Sequence, residues 1–406
     1  HVAEVIVAEL LQQGVDAESL ELLLGDGVRG LDPEALRGLR LDPLFRVLQP
    51  AVPGGSNAFA VSAGRSASGN ALLMGEIHLD MARIPPALYA VHIDHEDGTF
   101  YQGIGAPGVA WLSVARTDHV AWTFTFGHAD NFDVVVERCR DGQYRVNPDN
   151  GGAPWAPLRR RDERVKVRGR PDEQWTLWDS PYGALVGDPH VPGRYPCVRW
   201  SGMDQVWRDF DGGRALHDCT SVEQLLEVQR QIRCFTLCLV AADSAGKVAR
   251  GWAGQVDQRP DDWAGVVPYP GWKLPTRTPA PRPEEERLLE VAPPGGFVVS
   301  ANERCEGPDG SCWVSLPEPR YRHDRLWQRV AELQQATVDD LVQISYDTVD
   351  LCALRLLQVW APLLPRHPEV EPLVAWARHG AACDTPERRR RMGLFHALHH
   401  EAVRAL

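Results

Sequence analysis

Apolar positions along the chain change period twice. Through residues 1–50, Val5, Ile6, Leu10 and Leu11 recur at helical spacing. Asp32 followed by Pro33 reads as an N-cap with proline at the first helical position, so short helices are predicted. After a break at residues 50–55 the period becomes two. Phe59 and Val61 alternate with small residues, and the turn signals Ser68, Gly69 and Asn70 lead into a second apolar run over 71–74, predicting a β-hairpin. Further strands are predicted at 88–93, 99–103, 119–126 and 132–138, with Val120, Trp122, Phe124 and Phe126 on one face.

Helical spacing returns over 221–232, and 234–242 is a strand that turns through Asp243, Ser244, Ala245 and Gly246 into a partner starting at Val248. Residues 260–294 hold nine prolines but also Trp263, Val266, Val267 and Trp272, which predicts an ordered crossing segment rather than a free linker. From Leu326 to the end the pattern is helical, broken at Pro365. No repeat of fixed period runs through the chain. A sheet-rich middle between helical ends is an α+β arrangement.

Composition narrows the partners. With 406 residues and 45.1 kDa, 44% of them hydrophobic and 24% charged, the chain is an ordinary globular protein large enough for a sizeable core. A net charge of −12 repels a phosphate backbone, so nucleic acid is not an expected partner. Lysine occurs only at Lys166, Lys247 and Lys273, and the run Arg388 to Arg391 is the nearest thing to a membrane-seeking basic cluster. No apolar stretch approaches the roughly 18 residues of a membrane span, the best being 235–242. Nine cysteines without a Cys-x-x-Cys pair argue against a zinc ribbon and against a fully paired disulfide framework. Cys305 and Cys312 bracket a loop and are placed to pair in an oxidising compartment; scattered buried thiols are the plainer expectation.

One constellation carries chemistry. Gly54, Gly55, Ser56, Asn57, Ala58 and Phe59 open the first strand, and behind them come, in order, 65–73 (RSASGNALL), His78 with Leu79, 105–109 (GAPGV), 120–125 (VAWTFT), Asp130 and Asp133. Farther on stand 242–247 (ADSAGK), 297–304 (FVVSANER) and 321–326 (YRHDRL). This series resembles the penicillin acylase (penicillin amidase) family of N-terminal nucleophile hydrolases, over most of residues 54–400. The resemblance implies a four-layer αββα sandwich with C-terminal helices, matured as a zymogen by autocleavage between Gly55 and Ser56. It implies an organisation in which 1–55 is a helical remnant of an upstream chain, 56–319 the nucleophile-bearing core and 320–406 a helical part of the same chain. Relative to the family the chain is expected to be shortened at both ends, with a missing N-terminal portion that helps build the acyl pocket. A periplasmic or secreted location is also what the resemblance implies.

The chemistry asks little of the rest of the sequence. A serine hydroxyl needs a base, and a serine at a chain terminus carries one, its own α-amino group of pKa near 7.7–8.0. An amide nitrogen is no base, so the Gly55–Ser56 bond must break first, and a residue without Cβ at position 55 tolerates the strained backbone that self-attack needs. By resemblance the oxyanion donors are the Phe126 backbone N–H and the Asn302 side-chain amide. His78 is implied to hydrogen-bond the nucleophile, and Arg325 to hold the asparagine and the serine in place. Leu79, Trp122 and Phe124 are implied to line an acyl pocket, although an aromatic stripe on a strand is by default core. Asp130, the carbonyl of Phe132 and Asp133 resemble a calcium loop, so one structural Ca²⁺ and no organic cofactor are expected.

The expected activity is hydrolysis of an N-acyl amine, a linear or lactam-type amide, through an acyl-serine intermediate, of the kind used in antibiotic biosynthesis. The alternative is a catalytically silent homologue that binds a ligand or partner. Two further patterns weigh less. Ser244-x-x-Lys247 lies in a turn rather than at a helix start, and His396, His399 and His400 share a helix face without a visible carboxylate cage.

Overall fold

The computed structural model describes residues 3–41, 54–79, 88–109, 111–203, 206–275, 280–283, 287–304, 306, 313–314 and 318–405; Cys305 and Cys312 lie outside them. Its helices are α1 (Ala3–Gln12), α2 (Ala17–Leu24), α3 (Pro33–Leu36), α4 (Val206–Ala215), α5 (Val222–Val228), α6 (Tyr321–Glu332), α7 (Val338–Ser345), α8 (Leu351–Trp360), α9 (Val370–Arg378) and α10 (Pro386–Ala405). The first strands are β1 (Gly55–Val61), β2 (Leu72–His78), β3 (Tyr89–Asp94), β4 (Phe100–Gly105), β5 (Leu112–Thr117), β6 (Val120–Phe126) and β7 (Phe132–Arg140). Then come β8 (Gln143–Arg145), β9 (Trp155–Pro157), β10 (Arg159–Val165), β11 (Glu173–Ser180), β12 (Gly183–Leu185) and β13 (Gly193–Trp200). The last are β14 (Leu237–Asp243), β15 (Val248–Ala253), β16 (Tyr269–Pro270), β17 (Leu289–Val291) and β18 (Phe297–Ser300).

Two of the three sheets stack face to face. The first, in the order β18-β1-β2, is antiparallel, with Ala58 opposite Ser300 and Gly75. Strand alternation sends Phe59 and Val61 outward against Leu326 and Val330 of α6 and Leu341 and Ile344 of α7. It sends Ala58 and Ala60 inward, against Val240, Ala242 and Val248 of the second sheet, β17-β15-β14-β6-β5-β4-β3. Small residues on the inner faces let the sheets approach, and the hydroxyls of Thr125 and Ser300 meet across the gap at 2.8 Å. The outer face of the second sheet, with Trp122, Phe124 and Leu239, is covered by Val222, Leu225 and Leu226 of α5. The stack is therefore helix, sheet, sheet, helix, the αββα sandwich.

The third sheet runs β10-β11-β12-β13-β7-β8-β9, with β16 added in parallel to β7. The N-terminal helices belong to it: Val7 and Leu20 pack with Val135, Tyr195 and Trp263, and Val5 packs on Val134. Residues 256–274 cross this sheet as an ordered segment, burying Trp263, Val267 and Tyr269. Among the described residues no helix is long and apolar enough to cross a membrane.

Candidate active site

Ser56 sits one residue into β1, opposite Ile77 of β2, and its parity aims it inward with Ala58 and Ala60. It is buried, 2% exposed. Its backbone N–H donates to Asn302 Oδ1 at 2.7 Å, and its hydroxyl donates to the Gly55 carbonyl at 2.7 Å. Gly55 lies in extended strand outside the left-handed region, so strain is not what calls for glycine. A Cβ there would lie 3.0 Å from Arg322 Nη2 and 3.3 Å from Asn302 Oδ1, pressing on the groups that hold Ser56.

Asn302 follows β18 with φ +66°, a left-handed conformation that asparagine tolerates better than most residues and that turns its side chain back to the strand entry. Glu303 fixes the turn. Its buried carboxylate accepts from the Ala301 N–H at 2.6 Å and from Arg250 at 2.8 Å. The Asn302 amide nitrogen donates to the Phe126 carbonyl at 2.9 Å. Phe126 pairs with Leu237 at the end of β6, and the next pair is closed by Gly127 N–H to Thr236 O at 2.8 Å. Antiparallel alternation then turns the N–H and C=O of Phe126 away from β14, to the side where Asn302 stands. Ser56, Asn302 and the Phe126 backbone are thus brought together.

The arginine of this cluster is Arg322, not Arg325. Arg322 donates to the Ser56 carbonyl at 2.8 Å, to Asn57 Oδ1 at 3.0 Å and to Asn302 Oδ1 at 2.9 Å, and its burial lowers its pKa from the ordinary arginine value. Arg325, on the same helix, turns to Asp347 at 2.6 Å. His78 is the cross-strand partner of Gly55 and so projects on the outward face with Asn57 and Phe59, opposite to Ser56. Its Nε2 lies 3.8 Å from Glu76, which also accepts from Asn57 at 2.9 Å. Burial alone would raise Glu76, but the donors His78, Asn57 and Ser345 outweigh it and pull the carboxyl below its usual range.

The expected acyl-pocket residues divide. Trp122 and Phe124 are buried on the α5 side of β6, the face away from Ser56, and Trp122 Nε1 donates to the Leu112 carbonyl at 3.1 Å. They are core, because the residues of β6 that face the first sheet are the intervening threonines. Leu79 is half-buried just after β2.

The expected calcium loop has two neighbours that the sequence did not pair with it, Glu4 and Arg259. Asp130 and Asp133 are buried, and Glu4 of α1 joins them, the three carboxylates lying within 4.8 Å of one another. Burial drives Glu4 well above its ordinary value and lifts Asp133 to about 7, despite Arg259 beside it. Arg259 donates to Asp133 Oδ1 at 2.8 Å and to the Asp130 carbonyl at 2.7 Å, and lies 3.2 Å from Asp130 Oδ2. A divalent ion about 4 Å from that guanidinium would meet repulsion on the order of 8 kcal/mol at an effective dielectric of 20. The donor set suits one cation, and the Arg259 guanidinium stands against it.

Sequence reasoning did not single out Arg322, Asn57, Glu4 or Arg259. Arg322 stands inside the quoted arginine helix, so its signal was present and only its phase was misread.

Known proteins resemble this chain in sequence and fold. The family model "Penicillin amidase" matches residues 2–406. Penicillin acylase 2 proenzyme of Pseudomonas sp. (strain SE83) is 28% identical over 353 residues, covering 82% of this chain and 45% of that protein. Acyl-homoserine lactone acylase QuiP of Pseudomonas aeruginosa is 24% identical over 357 residues, covering 80% of this chain and 41% of that protein. The chain thus spans less than half the length of these curated relatives. A thermostable penicillin G acylase from Alcaligenes faecalis superposes with a TM-score of 0.64 at 18% identity, over 79% of this chain and 58% of its own, a likeness of fold. With a family model matched from residue 2 to residue 406, over sandwich and strand-entry serine alike, the chain belongs to the penicillin amidase family.

Proposed function

We propose that this chain carries the catalytic serine of an amide hydrolase of the acylase type, which removes the acyl group from a small N-acylated amine. The observation that supports it is the convergence on one strand-entry serine. Asn302 Oδ1 accepts from its N–H at 2.7 Å, Arg322 donates to its carbonyl at 2.8 Å, and the Asn302 amide is tied to Phe126. Strand pairing needs none of these contacts.

The first reaction is internal. The Ser56 hydroxyl lies 2.7 Å from the Gly55 carbonyl oxygen, against the group it has to attack. Its oxygen bonds to the Gly55 carbonyl carbon, the carbon–nitrogen bond breaks, and the proton passes to the departing nitrogen. Water then hydrolyses the ester, leaving a Gly55 carboxylate and a Ser56 α-amine, now a base of the right strength at neutral pH. Asn302 and Arg322 keep that amine in place.

Substrate turnover repeats the attack from outside. The α-amine takes the hydroxyl proton, directly or through a water, and Oγ bonds to the acyl carbon. The oxyanion is met by the Phe126 N–H and by the second hydrogen of the Asn302 amide, the first being spent on the Phe126 carbonyl. A carboxamide donates without adding a charge. The amine leaves with the proton, and water releases the acid from the acyl-serine.

Intact-mass measurement tests the first step: wild type should yield a chain beginning at Ser56, while Ser56→Ala stays at 45.1 kDa. The processed protein should release chromophore from an acyl nitroanilide. Wild type that remains whole, and that is not labelled by a sulfonyl fluoride, would sink the proposal.

A further inference from the structure

We propose that Arg259 is the resident cation of the buried acidic pocket formed by Glu4, Asp130 and Asp133, so that this chain joins its N-terminal helix to the third sheet and the β6–β7 connection without a divalent metal. The guanidinium is built in rather than resting at an edge. Its side chain is 11% exposed, Nε is 2.8 Å from Asp133 Oδ1, and Nη2 is 2.7 Å from the Asp130 carbonyl and 3.2 Å from Asp130 Oδ2. The face of Trp263 lies 5.5 Å from its central carbon.

Gly265 roofs it. That residue has φ +84°, and a Cβ would lie 2.5 Å from Arg259 Cζ and 2.5 Å from Asp130 Oδ2. The backbone there is shaped around an arginine. A neighbouring carboxylate, Asp257, is occupied separately by Arg199 at 3.0 Å. Glu4 closes the remaining side, and among the described residues neither of its carboxylate oxygens has a hydrogen-bond donor.

The pocket links three stretches of chain: α1 through Glu4, the β6–β7 connection and the start of β7 through Asp130 and Asp133, and the crossing segment through Arg259. Oxygen ligands from separate segments are what a hard divalent ion gathers. Here a planar fork of fixed charge grips Asp130 and Asp133 directly, acts on Glu4 through charge alone, and cannot dissociate. The expected dependence is therefore inverted: the natural protein is indifferent to calcium, and removing the arginine uncovers three carboxylates that need a cation.

The test uses the whole chain. Metal analysis of protein dialysed against calcium should find well under one ion per molecule, and chelator or millimolar Ca²⁺ should leave the melting temperature unmoved. Arg259→Met should melt lower by several degrees and be raised again by Ca²⁺. If Arg259→Met does not fold, Arg259→Lys serves: it keeps the charge, loses the fork, and should melt lower without responding to Ca²⁺. A stoichiometric calcium ion in wild type, or a melting temperature that falls on chelation, overturns the proposal.

Discussion

Arg322 donates to the carbonyl of Ser56 at 2.8 Å across the boundary between helix α6 and strand β1. The same guanidinium reaches the Asn302 oxygen that accepts from the Ser56 N–H. The serine is therefore gripped at both of its backbone groups by two side chains that also grip each other.

Arg322 and Arg325 are separable by mutation. Arg322→Ala should slow processing at Ser56 by at least an order of magnitude, measured as uncut chain over time. Arg325→Ala should process normally, because its partly exposed pair with Asp347 contributes about 0–1 kcal/mol. Equal defects in the two variants would contradict the assignment.

Asn302→Ala removes the acceptor for the Ser56 N–H and the amide bound to Phe126. In processed enzyme the expected loss in kcat is about 10²–10³-fold, with KM little changed. A KM effect alone would make Asn302 a substrate-binding group.

Trp122 and Phe124 are core, not pocket. Phe124→Ala should cost about 3–5 kcal/mol in urea unfolding, with the ranking of acyl chain lengths preserved. A reordered preference in a variant of wild-type stability would return Phe124 to the pocket.

Glu137, buried in β7 of the third sheet, gives a pH signature. Burial pushes its carboxyl from 4.5 up to about 8, with the Ser180 hydroxyl pulling weakly the other way. The folded state binds a proton that the unfolded chain releases above the ordinary value. Stability from this group is thus complete below about 4.5 and is lost as pH rises through about 8. Glu137→Gln should flatten that slope and stabilise the protein at pH 8 by on the order of 1–3 kcal/mol. An unchanged slope of unfolding free energy against pH would locate the effect elsewhere.

Much of the sandwich was readable because its strands alternate. Phe59 and Val61 against Ala58 and Ala60 announced β1, and the turn after Ala242 announced the β14–β15 hairpin. Of the third sheet only β7 was readable. Arg159–Val165 is largely exposed and carries no apolar face, and Glu173–Ser180 reaches the core with Trp178; the two are held as strands by pairing with each other, a long-range relation that local pattern does not carry. β5 was missed in a similar way, its alternation interrupted by Ser113 and Arg116.

The order of motifs alone determined the family and singled out Ser56 and Asn302 as candidates, since each is marked by a local run of residues. Which arginine meets Ser56, which face of β6 looks at it, which side of β2 carries His78, and that Glu4 and Arg259 stand at the acidic pocket were decided only in three dimensions. Arg322 and Arg325 share residue type and helix, and differ in angular phase about its axis. Trp122 and Thr123 are neighbours in sequence and point to opposite sides of one sheet. Glu4, Asp130 and Arg259 come from three distant stretches of chain, and only the packed fold makes them a unit.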